Sequence, residues 1–369
     1  MAGVEMPTPP CHVLVERRLA SVPQYEPREV RLFSKCRNER LRLPWFLTYY
    51  RDLGVNRFFI VDNGSSDGSV DYLLGQPDVH VFSTEGRFQE ACGGTLWLNT
   101  LLARFGVGSW CVTVDIDELL CYPGSENVAL QELIAHLDAH GYEALPCLLL
   151  DLYPAGPMSE CVYVPGDDMI AAAPLFDVGP YRRTSVNLCP DRWISGGPRE
   201  RVFYPELRTE SLRRRISRAL YHGLTLRMPS LRRSRWLRLL RPRHAPCLTK
   251  IPLAKWDENS RYLSANHFMS PKRLPTESGV LLHFKFLSDF AVRALQEAKR
   301  GEYFDGASEY QRYAKELIRN PQLTLMYEGS ARFRDTGQLV ALGLMQDSPE
   351  WKAARRTVRN GKRLDEAVR

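Results

Sequence analysis

The sequence predicts an α/β protein with a doubly wound, mostly parallel sheet, a mixed C-terminal part and peripheral helices. Between residues 30 and 125, short β-prone runs alternate with helical patterns, as is typical of parallel strands joined by crossover helices. Acidic and polar residues directly follow several of these runs, at the sheet edge where such folds bind ligands. The 369 residues are 44% hydrophobic, which suits one large or two modest domains with a substantial core.

Each element of the N-terminal half has its own signal. Leu41, Trp45, Tyr49 and Leu53 recur every four residues and predict an amphipathic helix, which Gly54 can end. Turn-forming residues separate the other elements. The expected strands cover residues 30–34, 57–61, 79–82 and 110–114, and the further helices cover 70–74 and 91–105.

The C-terminal half shows the same two kinds of pattern with longer connections. An apolar stripe predicts a helix over 127–140, and a continuous apolar run predicts a buried strand over 144–153. Further strands are expected over 264–268 and 281–286, and helices over 288–300 and 308–320. We therefore divide the chain into a poorly ordered leader (1–29), two halves of one domain (30–125 and 126–300) and a C-terminal helical extension (301–369).

Cysteine usage and hydropathy indicate the cellular compartment of the protein. Nine cysteines are scattered without a Cys-x-x-Cys pair, which favours free thiols in a reducing compartment. The first ten residues contain no apolar signal core, and no apolar run approaches the length of a membrane span. These observations predict a cytoplasmic protein, either free or peripheral at the inner face of the membrane.

The stretch 110–118 carries the clearest chemical signal. Its apolar residues run into Asp115, Asp117 and Glu118. In an extended chain Asp115 and Asp117 share a face, and two carboxylates on one face can hold Mg²⁺ or Mn²⁺ against the phosphates of a nucleotide. The alternative is a strand that ends in a solvated acidic turn.

Three motifs together resemble the family 2-like glycosyltransferases. They are Lys-Cys-Arg-Asn-Glu at 35–39, Val-Asp-Asn-Gly-Ser-Ser-Asp-Gly-Ser at 61–69 and Val-Asp-Ile-Asp-Glu at 114–118. The match is strong over 30–125 and weaker to about residue 295. The resemblance implies the GT-A fold, a nucleotide-sugar donor, Mn²⁺ or Mg²⁺ as cofactor and inversion at the anomeric carbon. The family often has a second acid where this chain has Asn63.

The first two motifs are the candidate nucleotide-binding groups. Asp62 ends a strand and can accept hydrogen bonds from a uracil imide or a ribose hydroxyl; alternatively it caps its own turn. Arg37, Asn38 and Glu39 follow the first strand and can hold the base and a phosphate; alternatively they form a solvated loop. Asp115 is expected to contact both the nucleotide sugar and the metal.

A glycine-rich segment later in the chain is the candidate donor-sugar loop. Gly196 and Gly197 allow close backbone approach to a ligand, and Arg199 can neutralise a phosphate. In the resembled enzymes a glycine-containing loop lies over the donor sugar at this point. The required general base is typically a carboxylate, and Glu200 and Asp191 are the candidates beside the glycines. A surface hairpin is the alternative interpretation.

Two histidines are candidates for a further metal ligand. GT-A enzymes often supply one late in the domain, and His283 lies in an apolar strand candidate near the domain end. His267 is the second candidate and could face the acceptor instead. The resemblance thus suggests a metal site of Asp115, Asp117 and His283.

Residues 208–243 form a basic insertion. They contain twelve arginines and a single acid, with leucines and a tryptophan between them. A basic amphipathic segment can lie on an anionic membrane surface, and an inert solvated insert is the alternative. The same composition could also bind nucleic acid, but no zinc pattern and no RNA-binding signature in the sequence supports that. A membrane surface would suit a lipid-linked acceptor, as in envelope polysaccharide or glycolipid synthesis; a saccharide is the other acceptor class.

Two other functions remain open at this point. A nucleotidyltransferase also combines such a sheet with a metal and a nucleotide, although segment 35–39 lacks the glycines of a phosphate loop. A non-catalytic, membrane-associated scaffold could retain the same fold.

Overall fold

The structure is a computed structural model, and it describes residues 14–18, 29–207, 220 and 245–357. The strands are β1 (Val15–Arg18), β2 (Val30–Cys36), β3 (Arg57–Asp62), β4 (Val79–Ser83), β5 (Trp110–Thr113), β6 (Glu118–Cys121), β7 (Ala144–Tyr153), β8 (Leu175–Asp177), β9 (Tyr181–Thr184), β10 (Trp193–Gly196), β11 (Thr249–Lys255), β12 (Tyr262–Ser264), β13 (Phe268–Met269), β14 (Gly279–His283) and β15 (Ser330–Arg332). The α-helices are α1 (Leu43–Leu53), α2 (Ser69–Leu74), α3 (Thr95–Phe105), α4 (Leu130–Ala139), α5 (Met169–Ala172), α6 (Phe290–Arg300), α7 (Phe304–Arg319) and α8 (Thr336–Ala341).

One eleven-stranded sheet forms the centre of the molecule, in the order β1-β4-β3-β2-β5-β11-β7-β14-β6, with β8 and β15 attached beside β7. The neighbours β4, β3, β2 and β5 are parallel. β11 lies antiparallel between β5 and β7, and β7 and β14 are parallel again. Strands from both predicted halves of the domain therefore belong to a single sheet.

Apolar residues on both faces of the sheet explain its three-layer packing. Along β3, Phe58 and Ile60 belong to one core cluster, and Phe59 and Val61 belong to another. Successive side chains of a strand point to opposite faces, so each cluster lies on one side of the sheet. The buried residues of α1 and α4 pack into the first cluster and those of α3 into the second. Helices thus cover both faces.

A buried arginine joins the chain before α1 to the chain before α6. The Arg42 guanidinium donates two hydrogen bonds to the Asp289 carboxylate, at 2.8 and 2.6 Å. It also contacts Glu39 at 3.3 Å and donates to the Phe284 carbonyl at 3.3 Å. Because Arg42 is fully buried, its charge needs these contacts as compensation.

The predicted fold class is confirmed as a mixed α/β fold with a mostly parallel central sheet and helices on both faces. Some boundaries differ. The helix expected over 91–105 begins at Thr95, since Cys92, Gly93 and Gly94 have φ values of 52°, 70° and 79°. Within the expected leader, residues 15–18 form an edge strand beside β4.

The basic insertion, apart from residue 220, lies outside the described residues, as do 1–13, 19–28 and the end of the tail. Among the residues that the structure describes, no helix has the length and apolar character needed to cross a bilayer.

Candidate functional site

Several strands end at one edge of the sheet and place polar groups there. The parallel strands β2, β3 and β5 end at Cys36, Asp62 and Thr113. β14 ends at the same edge with His283, and the antiparallel β11 begins there with Thr249. Carboxyl ends of parallel strands form the usual ligand-binding edge of an open α/β sheet.

A turn carries the two acids of the Asp-x-Asp motif. Residues 114–117 separate β5 from β6, and the Glu118 amide donates to the Asp115 carbonyl at 3.0 Å. The expectation that Asp115 and Asp117 share one strand face is therefore wrong. The two apolar residues of the turn, Val114 and Ile116, are buried. Buried apolar residues therefore alternate with acidic ones along this turn, which is the same sequence pattern that a half-buried strand produces.

Four side chains at this edge form a continuous series, which we call the acid–imidazole chain: Asp117, His283, Asp151 and Arg199. Asp117 Oδ2 lies 3.3 Å from His283 Nε2. The other ring nitrogen, Nδ1, donates to Asp151 Oδ1 at 2.5 Å. Asp151 Oδ2 accepts from Arg199 Nε at 2.8 Å. Carboxylates thus alternate with basic groups from the solvent-facing turn into the core.

The contacts within this chain shift the pKa values of its members. Burial raises the pKa of Asp117, but His283, together with the more distant charges of Lys285 and Arg42, holds that pKa well below its usual range. Burial lowers the pKa of His283, but Asp117 and Asp151 outweigh it and raise that pKa. The pKa of Asp151 is lowered by Arg199 and His283 despite burial. Each member therefore stabilises the charged form of its neighbours.

Asp117 and His283 are also placed as two ligands of one metal ion would be. Oxygen and nitrogen ligands lie about 2.0–2.2 Å from an ion such as Zn²⁺, so neighbouring ligand atoms are about 3 Å apart. Asp151 receives the hydrogen bond from the far ring nitrogen, the contact that orients metal-binding imidazoles. Across 14–18, 29–207, 220 and 245–357, no three His, Cys, Asp or Glu side chains are grouped to hold a metal. The described residues therefore supply two protein ligands for a metal ion here, Asp117 and His283.

The contacts of Asp115 are with lysines rather than with this pair. Its carboxylate pairs with Lys35, and its other oxygen lies 3.6 Å from Lys250 Nζ. Lys250 in turn contacts Glu118 at 2.7 Å and donates to Asn266 at 2.5 Å. Burial raises the pKa of Asp115, but the two lysines outweigh burial and lower it. The predicted role of Asp115 as a metal ligand therefore stays a prediction, because its observed partners are ammonium groups.

The Asp62 carboxylate closes its own turn. Oδ2 accepts hydrogen bonds from the amides of Gly64 and Ser65 at 3.0 and 3.1 Å, and Oδ1 lies 3.5 Å from the Cys36 sulfur. These are the contacts of a turn-capping aspartate. Nucleotide binding by Asp62 remains a prediction. It would require the carboxylate to accept hydrogen bonds from the ligand as well as from the amides of the turn.

Residues 37–39 lie against the same turn. Arg37 donates to the Asn63 carbonyl at 2.5 Å, and Asn38 Oδ1 accepts from a backbone amide of the turn at 2.8 Å. Glu39 pairs with Arg42 and with Arg293 of α6. The two predicted nucleotide-binding motifs are thus brought together, as expected for one site, and α6 supplies an arginine that the motifs alone did not indicate.

The two glycines of the predicted donor-sugar loop are explained by packing. Gly196 and Gly197 have φ values of 138° and 69°. A Cβ on Gly196 would lie 2.6 Å from the Pro180 carbonyl oxygen, and one on Gly197 would lie 3.4 Å from the Tyr181 ring. These residues end the hairpin of β9 and β10. The groups packed closely against these glycines are therefore Pro180 and Tyr181 of the same protein. Arg199 contacts Asp151 and so belongs to the acid–imidazole chain.

The two candidate bases differ in their surroundings. Asp191 is exposed and accepts hydrogen bonds from Ser185 and two backbone amides at the tip of the β9–β10 hairpin. The three steps along β10 from Trp193 to Gly196 span about 10 Å in extended chain and separate Asp191 from the glycines, which argues against Asp191. Glu200 is buried and pairs with Arg182, and its Oε2 has no hydrogen-bond partner among the described residues.

His267 lies against the first residue of β11 and is held neutral. Its Nδ1 donates to the Thr249 carbonyl at 2.7 Å. Burial and the nearby Lys250 charge lower the pKa of His267 to about 3. Of the two predicted histidines, His283 is the one beside an acid of the Asp-x-Asp motif.

Sequence reasoning missed the partners that lie inside strands. Asp151 is the only charged residue of the ten-residue β7, and Lys250 interrupts the buried β11. A lone charge in a fully buried strand was the available signal, because such a charge needs a nearby counter-charge. The identity of that counter-charge depends on strand pairing over more than a hundred residues, as between His283 and Asp151.

Asp151→Asn is expected to weaken Mn²⁺ binding about 10–100-fold, the usual effect of losing the carboxylate behind a metal-binding imidazole. Electron paramagnetic resonance of free Mn²⁺ measures this affinity without turnover. Asp177→Asn is the matched control, since Asp177 is equally buried and pairs with Arg201 at 2.9 Å. Equal losses in both variants would make the effect one of general stability.

Comparison with models of known protein families and with curated proteins finds no match. The arrangement of side chains at the sheet edge therefore carries the functional argument.

Proposed function

We propose that the protein is a glycosyltransferase that moves a sugar from a nucleotide-sugar donor to an acceptor hydroxyl, with Mn²⁺ or Mg²⁺ and with inversion. The observation that carries this proposal is the position of Asp117 and His283, 3.3 Å apart at the carboxyl edge of the sheet. The nucleotide-binding candidates at 35–39 and 62–69 lie at the same edge. The GT-A fold belongs to this proposal.

In this proposal the chain's own residues divide the work. Asp117 and His283 hold the cation, and Asp151 keeps the imidazole Nε2 turned toward Asp117. A bound Mn²⁺ or Mg²⁺ supplies charge that offsets the negative charge building on the leaving diphosphate. The nucleoside binds against Arg37, Asn38, Glu39 and Asp62.

The acceptor hydroxyl needs a proton acceptor for direct displacement. Its oxygen forms the new bond to the anomeric carbon while the bond to the diphosphate breaks, and its proton passes to a carboxylate. We assign this role to Glu200, whose Oε2 has no partner in the described part of the chain and whose neighbour Arg199 belongs to the acid–imidazole chain. Glu200→Gln would then slow transfer to an acceptor more than it changes donor binding.

A panel of nucleotide sugars, each assayed for hydrolysis with Mn²⁺ or Mg²⁺, tests the function. The proposal expects release of a nucleoside diphosphate from at least one donor, and loss of that activity with EDTA. Pyrophosphate released from a nucleoside triphosphate and a sugar phosphate would instead identify a nucleotidyltransferase. A folded protein that turns over none of these substrates would favour a non-catalytic scaffold.

We also propose that segment 208–243 holds the enzyme at the cytoplasmic face of an anionic membrane, where a lipid-linked acceptor is available. Its twelve arginines and single acid support this, because each basic residue near such a surface contributes about 1 kcal/mol. Deleting 208–243 should abolish flotation with anionic vesicles while donor hydrolysis continues. Retained flotation, or lost hydrolysis in a folded protein, would contradict this assignment.

A further inference from the structure

Two lysines from distant parts of the sequence converge on one carboxylate at the ligand edge. Lys35, in β2, pairs with Asp115 Oδ1, and Lys250, in β11, lies 3.6 Å from Asp115 Oδ2. The lysine side chains are 11% and 3% exposed, whereas the Asp115 side chain is 33% exposed. A solvent-facing anion therefore covers two buried ammonium groups.

The surroundings fix the two cations in place. Lys250 is held by Glu118 at 2.7 Å and by Asn266 at 2.5 Å. The stem of Lys35 packs on Gly94, where an added Cβ would lie 2.4 Å from its Cδ. Gly94 directly precedes the eleven-residue α3, whose amino end adds partial positive charge near Lys35. Neither lysine can readily swing out to water.

This arrangement differs from a pair that only stabilises the fold. Glu118 already balances Lys250, so Asp115 balances mainly Lys35, and it is the most exposed member of the group. An anion arriving from solvent can therefore share or take the place of the Asp115 carboxylate without unburying either lysine. Groups with several charged oxygens, such as phosphates, suit two ammonium donors at once.

We infer that Lys35 and Lys250 form a binding site for the diphosphate of the substrate, and that Asp115 competes with the diphosphate for these two cations. Assigning the anion to a nucleotide-sugar donor rests on the proposed function, but the site itself does not. The inference gives Asp115 a role different from that of Asp117: removing its charge should strengthen, rather than weaken, the binding of a metal-free diphosphate.

Calorimetry with sodium pyrophosphate in EDTA at low salt tests this, with no metal or nucleotide present. We expect the wild-type protein to bind, Lys35→Gln to bind at least tenfold more weakly, and Asp115→Asn to bind several-fold more tightly. Lys255→Gln is the matched control, because Lys255 lies on the same strand as Lys250 but pairs at the surface with Asp138 at 2.8 Å. Its affinity should equal that of the wild type.

No pyrophosphate binding by the folded wild type, or weaker binding by Asp115→Asn, would overturn the inference. If Lys35→Gln fails to fold, the direction of the Asp115→Asn change decides alone. The outcome is separable from the proposed function. Donor hydrolysis without metal-free pyrophosphate binding would contradict the lysine site and support the proposed glycosyltransferase activity. Lysine-dependent pyrophosphate binding without turnover of any donor would support the lysine site and contradict the proposed glycosyltransferase activity.

Discussion

Asp117→Asn is expected to reduce donor turnover about a thousandfold or more while the fold survives. The asparagine keeps the size of the side chain but removes the charge that faces His283 at 3.3 Å. Metal clamps contribute several kcal/mol of transition-state stabilisation, and about 1.4 kcal/mol corresponds to a factor of ten in rate. Turnover and melting temperature should be measured on the same preparation.

The control for this variant is Asp71→Asn, which removes a solvent-exposed acid from α2 and should leave both quantities unchanged. Near-normal turnover in Asp117→Asn would show that Asp117 holds no essential ion. Collapse of the fold would instead assign Asp117 a structural role in the acid–imidazole chain.

The largest expected effect on stability comes from Arg42→Met. Its guanidinium is fully buried and is the partner of Asp289 and Glu39. Removing one partner of a buried ion pair leaves an uncompensated charge and costs about 3–5 kcal/mol. For a protein of 369 residues that corresponds to a fall in melting temperature of roughly 4–6 °C. Differential scanning calorimetry measures the change.

Arg51→Met provides the comparison for Arg42→Met. Arg51 also makes a two-point contact with an aspartate, Asp78, at 2.8 and 2.6 Å, but both side chains are partly exposed. Partly exposed pairs contribute about 0–1 kcal/mol. Equal losses in the two variants would mean that the buried contacts of Arg42 stabilise the fold no more than the partly exposed pair of Arg51 does.

The N-terminal half of the fold was predictable because its signals are local. Alternation of strand and helix patterns predicted β2 to β5 in order, and Gly54, with a φ of 105°, ends α1 as expected. The face of α1 was less well predicted. Tyr49 and Trp45 of the four-residue stripe are only partly buried, whereas Phe46 and Tyr50 are fully buried. Residues spaced by three and four share a helix face, and a stripe of fours alone drifts off it.

The position of β11 could not be predicted from local pattern. Thr249–Lys255 pairs with Val112 on one side and Leu145 on the other, across separations that no turn chemistry specifies. The position of β11 between β5 and β7 places Lys250 beside Asp115. Likewise, the pairing of β14 with β7 sets His283 opposite Asp151. The sequence thus indicated which residues carry chemistry at the edge, while strand pairing decided which of them meet.

Anomalous scattering from Mn²⁺ in crystals grown with Mn²⁺ and a nucleoside diphosphate tests the central claim most directly. We predict a single strong peak about 2.0–2.2 Å from both Asp117 Oδ2 and His283 Nε2, with diphosphate oxygens completing the coordination. A bound nucleoside diphosphate with no manganese peak at Asp117 and His283, or with the peak elsewhere, would contradict the account.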